Sequence, residues 1–195
     1  MKPPQPHQGG SPRATGQPRE DAPVPTDKSP ETTPDGHYLI IDGRKWRASD
    51  PSIPPKLRQE LVDELMAARR AVKSREADAR LRVNDAKIAL GERGQPWWEE
   101  PDPDAFDERI SATIRALLRK RIDSSICPSD VARIVRGEAD AWREHLDDVR
   151  RVAAKMARRG EIVATQKGSP VDADSARGPI RLSRATAENE TPHGP

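Results

Sequence analysis

The sequence holds one cysteine, one tyrosine and one phenylalanine, and no apolar run longer than Tyr38-Leu39-Ile40-Ile41. A single cysteine excludes an internal disulfide. So short a run is far below the roughly 18 residues that a membrane span needs, and no membrane contact is expected. Met1-Lys2-Pro3-Pro4 leads into no hydrophobic stretch, so the signal-peptide pattern is missing and the cytoplasm is the expected compartment. Hydrophobic residues are 33% and charged residues 34% of the 195 positions, against about 45–50% and 25% in ordinary globular chains. That composition cannot build one large core through the whole length, and part of the chain is expected to stay unfolded. Glycine loops of the Walker type and a GxGxxG fingerprint are absent, and no small-molecule substrate is evident. His7 and His193 fall in the two ends, which leaves His37, His145 and Cys127, too few for a structural zinc site. Asp172 and Asp174 lack the further oxygen ligands of a calcium loop. No cofactor is expected.

What the chain does have is proline, unevenly placed. Nine of its 20 prolines lie in residues 1–36, where Met1, Ala14, Ala22 and Val24 are the only apolar side chains. Such a segment cannot offset about 1–2 kcal/mol of backbone entropy per residue, so 1–36 reads as a disordered arm, and 185–195 as a disordered tail. Glu99-Glu100-Pro101-Asp102-Pro103 reads as a short stiff linker. It separates a block at 37–100 from one at 104–184, each small enough to be marginal alone. The first block with its linker carries 13 basic and 12 acidic residues, the second 17 and 13.

In the first block, Asp42-Gly43 between Tyr38-Leu39-Ile40-Ile41 and Arg44-Lys45-Trp46-Arg47 is a hairpin signal, because a type I′ turn needs positive φ at both central residues. A two-residue loop pairs Ile41 with Arg44, Ile40 with Lys45 and Leu39 with Trp46, placing Leu39, Ile41 and Trp46 on one face. That face needs a cover. Leu57, Leu61, Leu65, Ala68 and Val72, then Ala79, Val83, Ala86 and Leu90, recur at helical spacing. With the register broken near Ser74, they predict an antiparallel helical pair, about 55–73 and 77–90, as that cover, with Gly91 as its stop. Trp97-Trp98 follows. One reading plugs the helix pair with one ring and seals the joint to the next block with the other; the alternative makes them anchors for a protein partner.

In the second block, Phe106, Ile110, Ile114, Leu117 and Leu118 predict a helix over about 104–121. Cys127-Pro128-Ser129-Asp130 opens another, with Pro128 at its first position and Asp130 placed to reach back as a capping acid, and Gly137 ends it. A third helix, about 140–159, lines up Trp142, Leu146, Val149, Ala153 and Met156, which makes Trp142 a core residue. Strands follow around Ile162-Val163 and at 177–182, joined by the Lys167-Gly168 turn and a long loop. The expected fold is mainly α with small β-hairpins: a winged helix-turn-helix preceded by a hairpin and helical pair.

Residues 125–133, Ser-Ile-Cys-Pro-Ser-Asp-Val-Ala-Arg, together with Trp142, Val149-Arg150, Gly160-Glu161-Ile162, Thr165-Gln166-Lys167-Gly168, Val171-Asp172 and Arg177-Gly178-Pro179-Ile180-Arg181-Leu182, resemble the bacterial domain-of-unknown-function family 3253. The resemblance covers about 104–184 and implies a small winged-helix-like domain; the family has no established activity to carry over.

A winged helix points toward DNA or RNA. The start of the third helix carries Arg143 but also Glu144, Asp147 and Asp148, which would repel phosphates. The bases come later, at Arg150, Arg151, Lys155 and Arg158, and on the hairpin at Lys167, Arg177 and Arg181. The expected function is therefore weak, sequence-tolerant nucleic-acid binding through phosphates. The same acids and bases also suit the helix macrodipole and ordinary surface pairs, so the alternative is a protein-interaction adaptor using the winged-helix and Trp97/Trp98 surfaces. No enzyme is expected. Cys127 and His145 could be imagined as nucleophile and base, but no third orienting group accompanies them.

Overall fold

A computed structural model of the protein describes residues 30–137 and 140–185. The proline-rich arm up to residue 29 and the tail from residue 186 lie outside the described residues. Among those described, no helix is long and apolar enough to cross a membrane.

The hairpin forms in the register that its turn dictates. β2 (Tyr38–Ile41) and β3 (Arg44–Arg47) pair Leu39 with Trp46 and Ile41 with Arg44, across Asp42 and Gly43 at φ +50° and +71°. A short strand β1 (Glu31–Thr32) adds to the other edge of β2. It lies in the last part of the segment expected to be unfolded, so order begins before residue 37. Thr33 and Asp35 hold the entry: Thr33 Oγ1 donates to Asp35 at 2.6 Å and accepts from the Tyr38 N–H at 3.0 Å.

Two helices follow, α1 (Pro55–Lys73) and α2 (Ala79–Ala89), packed against each other. The chain reverses through Arg75 and Asp78, both at positive φ. The apolar stripe of the sequence is the buried one: Leu57, Leu61, Leu65, Ala68 and Ala86 are buried. Gly91 ends this pair at φ +79°, and a Cβ there would stand 3.0 Å from Trp97 Cδ1, so the site suits glycine alone.

The second block is built on α3 (Pro103–Lys120), whose N-cap Asp102 accepts from the Ala105 N–H at 2.9 Å. Pro103, expected in the linker, is the first residue of this helix, where its missing N–H costs nothing. α4 (Pro128–Arg136) follows as expected. Asp130, however, does not turn back to cap it; its carboxylate takes Arg121 Nη1 at 2.8 Å. The third helix is shorter than its periodicity predicted. Residues Asp140–His145 form a 3-10 turn, and α5 is Leu146–Arg158. β4 (Ile162–Gln166), β5 (Ser169–Pro170) and β6 (Arg181–Arg184) make an antiparallel sheet in the order β5-β4-β6. Ile126, before α4, bridges Leu182 of β6.

One apolar cluster joins the two blocks. It runs from Leu57, Leu61 and Leu90 through Ile110, Ile114 and Leu117 to Val149, Met156 and Leu182. α3 lies at its middle, packed on α1, α2, α4 and α5.

The hairpin stands outside this cluster. No residue of β2 or β3 is fully buried, and Ile41 and Trp46 are 43% and 44% exposed. The helical pair was expected to cover the Leu39–Ile41–Trp46 face; instead that face lines an open groove against Arg69 of α1 and Lys87 of α2.

Candidate nucleic-acid interface

The bases of the second block begin on α3, and there they meet carboxylates of the first block. Arg109 reaches Asp50 at 2.8 Å. Arg119 reaches Asp85 at 2.6 Å, and Lys120 reaches Asp63 at 2.8 Å. Arg121, just past the helix, donates to both oxygens of Glu60 at 2.7 and 3.0 Å. Asp50 and Asp85 are buried, so each needs a cation to offset its lost hydration. The Glu60 carboxylate hydrogen-bonded to Arg121 raises that guanidinium further above its ordinary pKa against the opposing effect of burial, with Asp130 adding to the shift.

These four pairs redistribute the charge. By sequence the second block is the more basic, 17 to 13, and the first nearly balanced, 13 to 12. Setting aside these four bases and four acids leaves 13 bases against 13 acids in the second block. In the first it leaves 13 against 8. By this count the positive excess belongs to the hairpin and helical pair.

The cations expected to grip phosphates are largely committed elsewhere. Arg151 makes a bidentate pair with Asp107 at 2.7 and 2.8 Å and touches Asp148 at 3.2 Å; Lys155 shares Asp107 at 2.9 Å. The Arg151 hydrogen bonds hold the Asp107 carboxyl below its ordinary pKa, opposed by burial and helped by Lys155. Arg150 donates to the carbonyls of Ala176 and Gly178, tethering the loop between β5 and β6. Arg181 is tied to Ser125, Nε to Oγ at 3.0 Å and Nη2 to the carbonyl at 3.2 Å. Arg143 lies over the Trp142 ring, 4.7 Å from its centroid. Arg158 is exposed and only loosely set against Asp172 at 3.8 Å. Lys167 and Arg177 are exposed on the hairpin, in a segment that also carries Asp172 and Asp174.

The aromatic expectations change too. Trp97 and Trp98 are half-buried, and both hold the hairpin to the end of α2. Trp98 stacks on His37 at 3.9 Å and 5°. Trp97 donates to the Ala48 carbonyl at 3.0 Å and lies against Gly91. Their faces are engaged within the chain, which removes the support for a partner anchor there. Trp142 is half-buried rather than core, because it sits in the 3-10 turn ahead of α5 with Arg133 and Arg143 each 4.7 Å from its ring. Cys127 and His145 are not brought together as nucleophile and base: Sγ accepts from Ser129 Oγ at 2.9 Å, and His145 Nδ1 lies 3.1 Å from Asp148.

The residues overlooked in the sequence surround Trp46. Arg44 and Lys87 approach its ring to 5.5 and 5.7 Å, and Arg69 faces the same groove. The signal was Arg44-Lys45-Trp46-Arg47, three bases around an aromatic on an edge strand.

No curated protein matches the chain. Residues 107–185 match the protein family described as Protein of unknown function (DUF3253); the match begins inside α3, and the carboxylates that neutralise the bases of that helix come from the block before it.

Proposed function

We propose that the protein is a non-catalytic, sequence-tolerant binder of nucleic acid that holds phosphates and does not read bases. The observation that carries this reading is the excess of 13 bases over 8 acids on the first block, left when α3 takes up the other four carboxylates. The order α3-α4-α5-β4-β5-β6, closed by the Ile126–Leu182 bridge, supports a winged-helix reading of the second block. In such a domain the third helix would enter a major groove. Here α5 offers an exposed Asp147 while Arg151 and Lys155 are held by Asp107, which argues against base reading and makes the first block the principal phosphate surface.

Fluorescence anisotropy with single-stranded and duplex probes across a salt series tests the reading. Three to five phosphate contacts give a log–log slope of about −2 to −3.5 for single strands and about −3 to −4.5 for duplex. Absence of binding near 50 mM salt with tens of micromolar protein would overturn it and leave the adaptor reading.

A further inference from the structure

The groove beside the hairpin combines apolar side chains with bordering cations. Strand alternation places Leu39, Ile41, Arg44 and Trp46 on one face of the sheet, and that face is left open where the helical pair was expected to close it. The groove is open, with a volume of about 410 Å³, and its floor is apolar. Four cations border it, Arg44, Arg47, Arg69 and Lys87, against two carboxylates, Asp42 and Glu92. Glu92 is already engaged, by Lys87 at 3.4 Å and Ser49 at 3.0 Å, and Arg47 donates to the Gly94 carbonyl at 2.7 Å while lying over Trp98. Among contacts to described residues, Arg69 has only the Met66 sulfur at 4.0 Å. Arg44 has only the Trp46 ring at 5.5 Å.

We infer that this groove is a single-strand nucleic-acid site, in which an unpaired base stacks on Trp46 and the flanking phosphates fall to Arg44 and Arg69. The inference rests on the nucleic-acid reading above and adds its location and strand form. Arg44 and Lys87 lie over the exposed indole at 5.5 and 5.7 Å; a stacking base would take a cation's place over the ring and leave that cation to a flanking phosphate, matching the alternation of flat base and charge along a single strand. A duplex keeps its bases stacked on one another, so it would present only phosphates and leave the apolar floor unused. An acidic peptide strand would be drawn to the open edge of β3 by its backbone and would gain little from the ring of Trp46.

The test compares Trp46→Ala, Trp46→Phe and the wild type for binding of a labelled oligothymidine, the duplex it forms with oligodeoxyadenosine, and a polyglutamate peptide. Trp46 is half-exposed and off the core, so both variants should melt like the wild type. Trp46→Ala should weaken single-strand binding about tenfold or more with its salt slope unchanged. Trp46→Phe should stay within about threefold of the wild type, and duplex binding should be indifferent to either change. Arg44→Gln with Arg69→Gln should flatten the single-strand slope by about 1.4, and provides a second readout if Trp46→Ala is unstable. Single-strand binding that survives Trp46→Ala undiminished would overturn the site while leaving the nucleic-acid reading in place. Failure of every nucleic-acid probe at low salt would overturn both. Polyglutamate binding as tight as oligothymidine, with the same dependence on Trp46, would overturn the site in favour of an acidic peptide.

Discussion

Three arginines of the C-terminal block are spent on carboxylates of the block before it, whereas two arginines of that earlier block border an open groove. Arg109, Arg119 and Arg121 of the former are less than a quarter exposed and each has an acid from the first block within 3 Å. Arg44 and Arg69 of the latter border an open groove. The formal charge of a segment therefore says little about the field it presents. By this count the block with more bases is balanced, and the block that looks neutral carries the positive excess, because four of its acids are paired with bases of the other block.

The joint is where this contrast can be broken with the largest effect. Arg109→Met leaves the buried Asp50 carboxylate with only Ser52 as a hydrogen-bond partner among the described residues. Stranding a buried charge costs about 3–5 kcal/mol, which should lower Tm by roughly 6–20 °C. Because the apolar cluster is continuous through α3, calorimetry should show one transition for both blocks; two separated transitions would mean the blocks fold apart and the ion pairs only decorate their contact.

Two smaller perturbations sharpen the comparison within each block. Gly91→Ala forces positive φ on an L side chain and drives a Cβ to 3.0 Å from Trp97, costing about 1–3 kcal/mol and loosening the hairpin's attachment to α2. In the second block, Trp142→Ala should cost about 2 kcal/mol rather than the 3–5 of a fully buried aromatic, since the ring is only partly buried against the core and exposed cation–π contacts such as those of Arg133 and Arg143 contribute about 0.5–1 kcal/mol each. Thermal melts check both.

Much of the backbone was legible in the sequence. Asp42-Gly43 fixes a two-residue loop and with it the register of β2 and β3. Leucines at intervals of four predict α1, and Pro128 marks the start of α4. Local signals of this kind act within a turn or two of chain. What was hidden is non-local. Asp50 and Arg109 are 59 positions apart, and nothing in a list of charges says which carboxylate meets which guanidinium. β1 and β5 are two residues each and exist only through their partners. Alternation in the hairpin tells which side chains share a face but not what covers it, so a closed face was expected where a groove lies open. Trp142 continued the apolar period of α5 in sequence, yet the helix begins after it, at Leu146.

The smallest effect expected is a pH dependence in the second block. Arg151 holds the Asp107 carboxyl below its usual range, so its stabilisation is complete above the ordinary carboxylate value of about 3.9 and disappears as pH falls through the lowered value. Asp107→Asn should therefore melt below the wild type at pH 7, and the gap should narrow progressively below about pH 4. A constant gap would mean that Asp107 acts through shape, not charge.

The claim that the positive excess belongs to the first block is tested most directly by removing two cations from each block in turn and comparing the salt slopes of single-strand binding. Arg44→Gln with Arg69→Gln should flatten the slope by about 1.4, while Lys167→Gln with Arg177→Gln should leave it nearly unchanged. The opposite order, with the larger loss on removing Lys167 and Arg177, would contradict the account and return the phosphate surface to the C-terminal block.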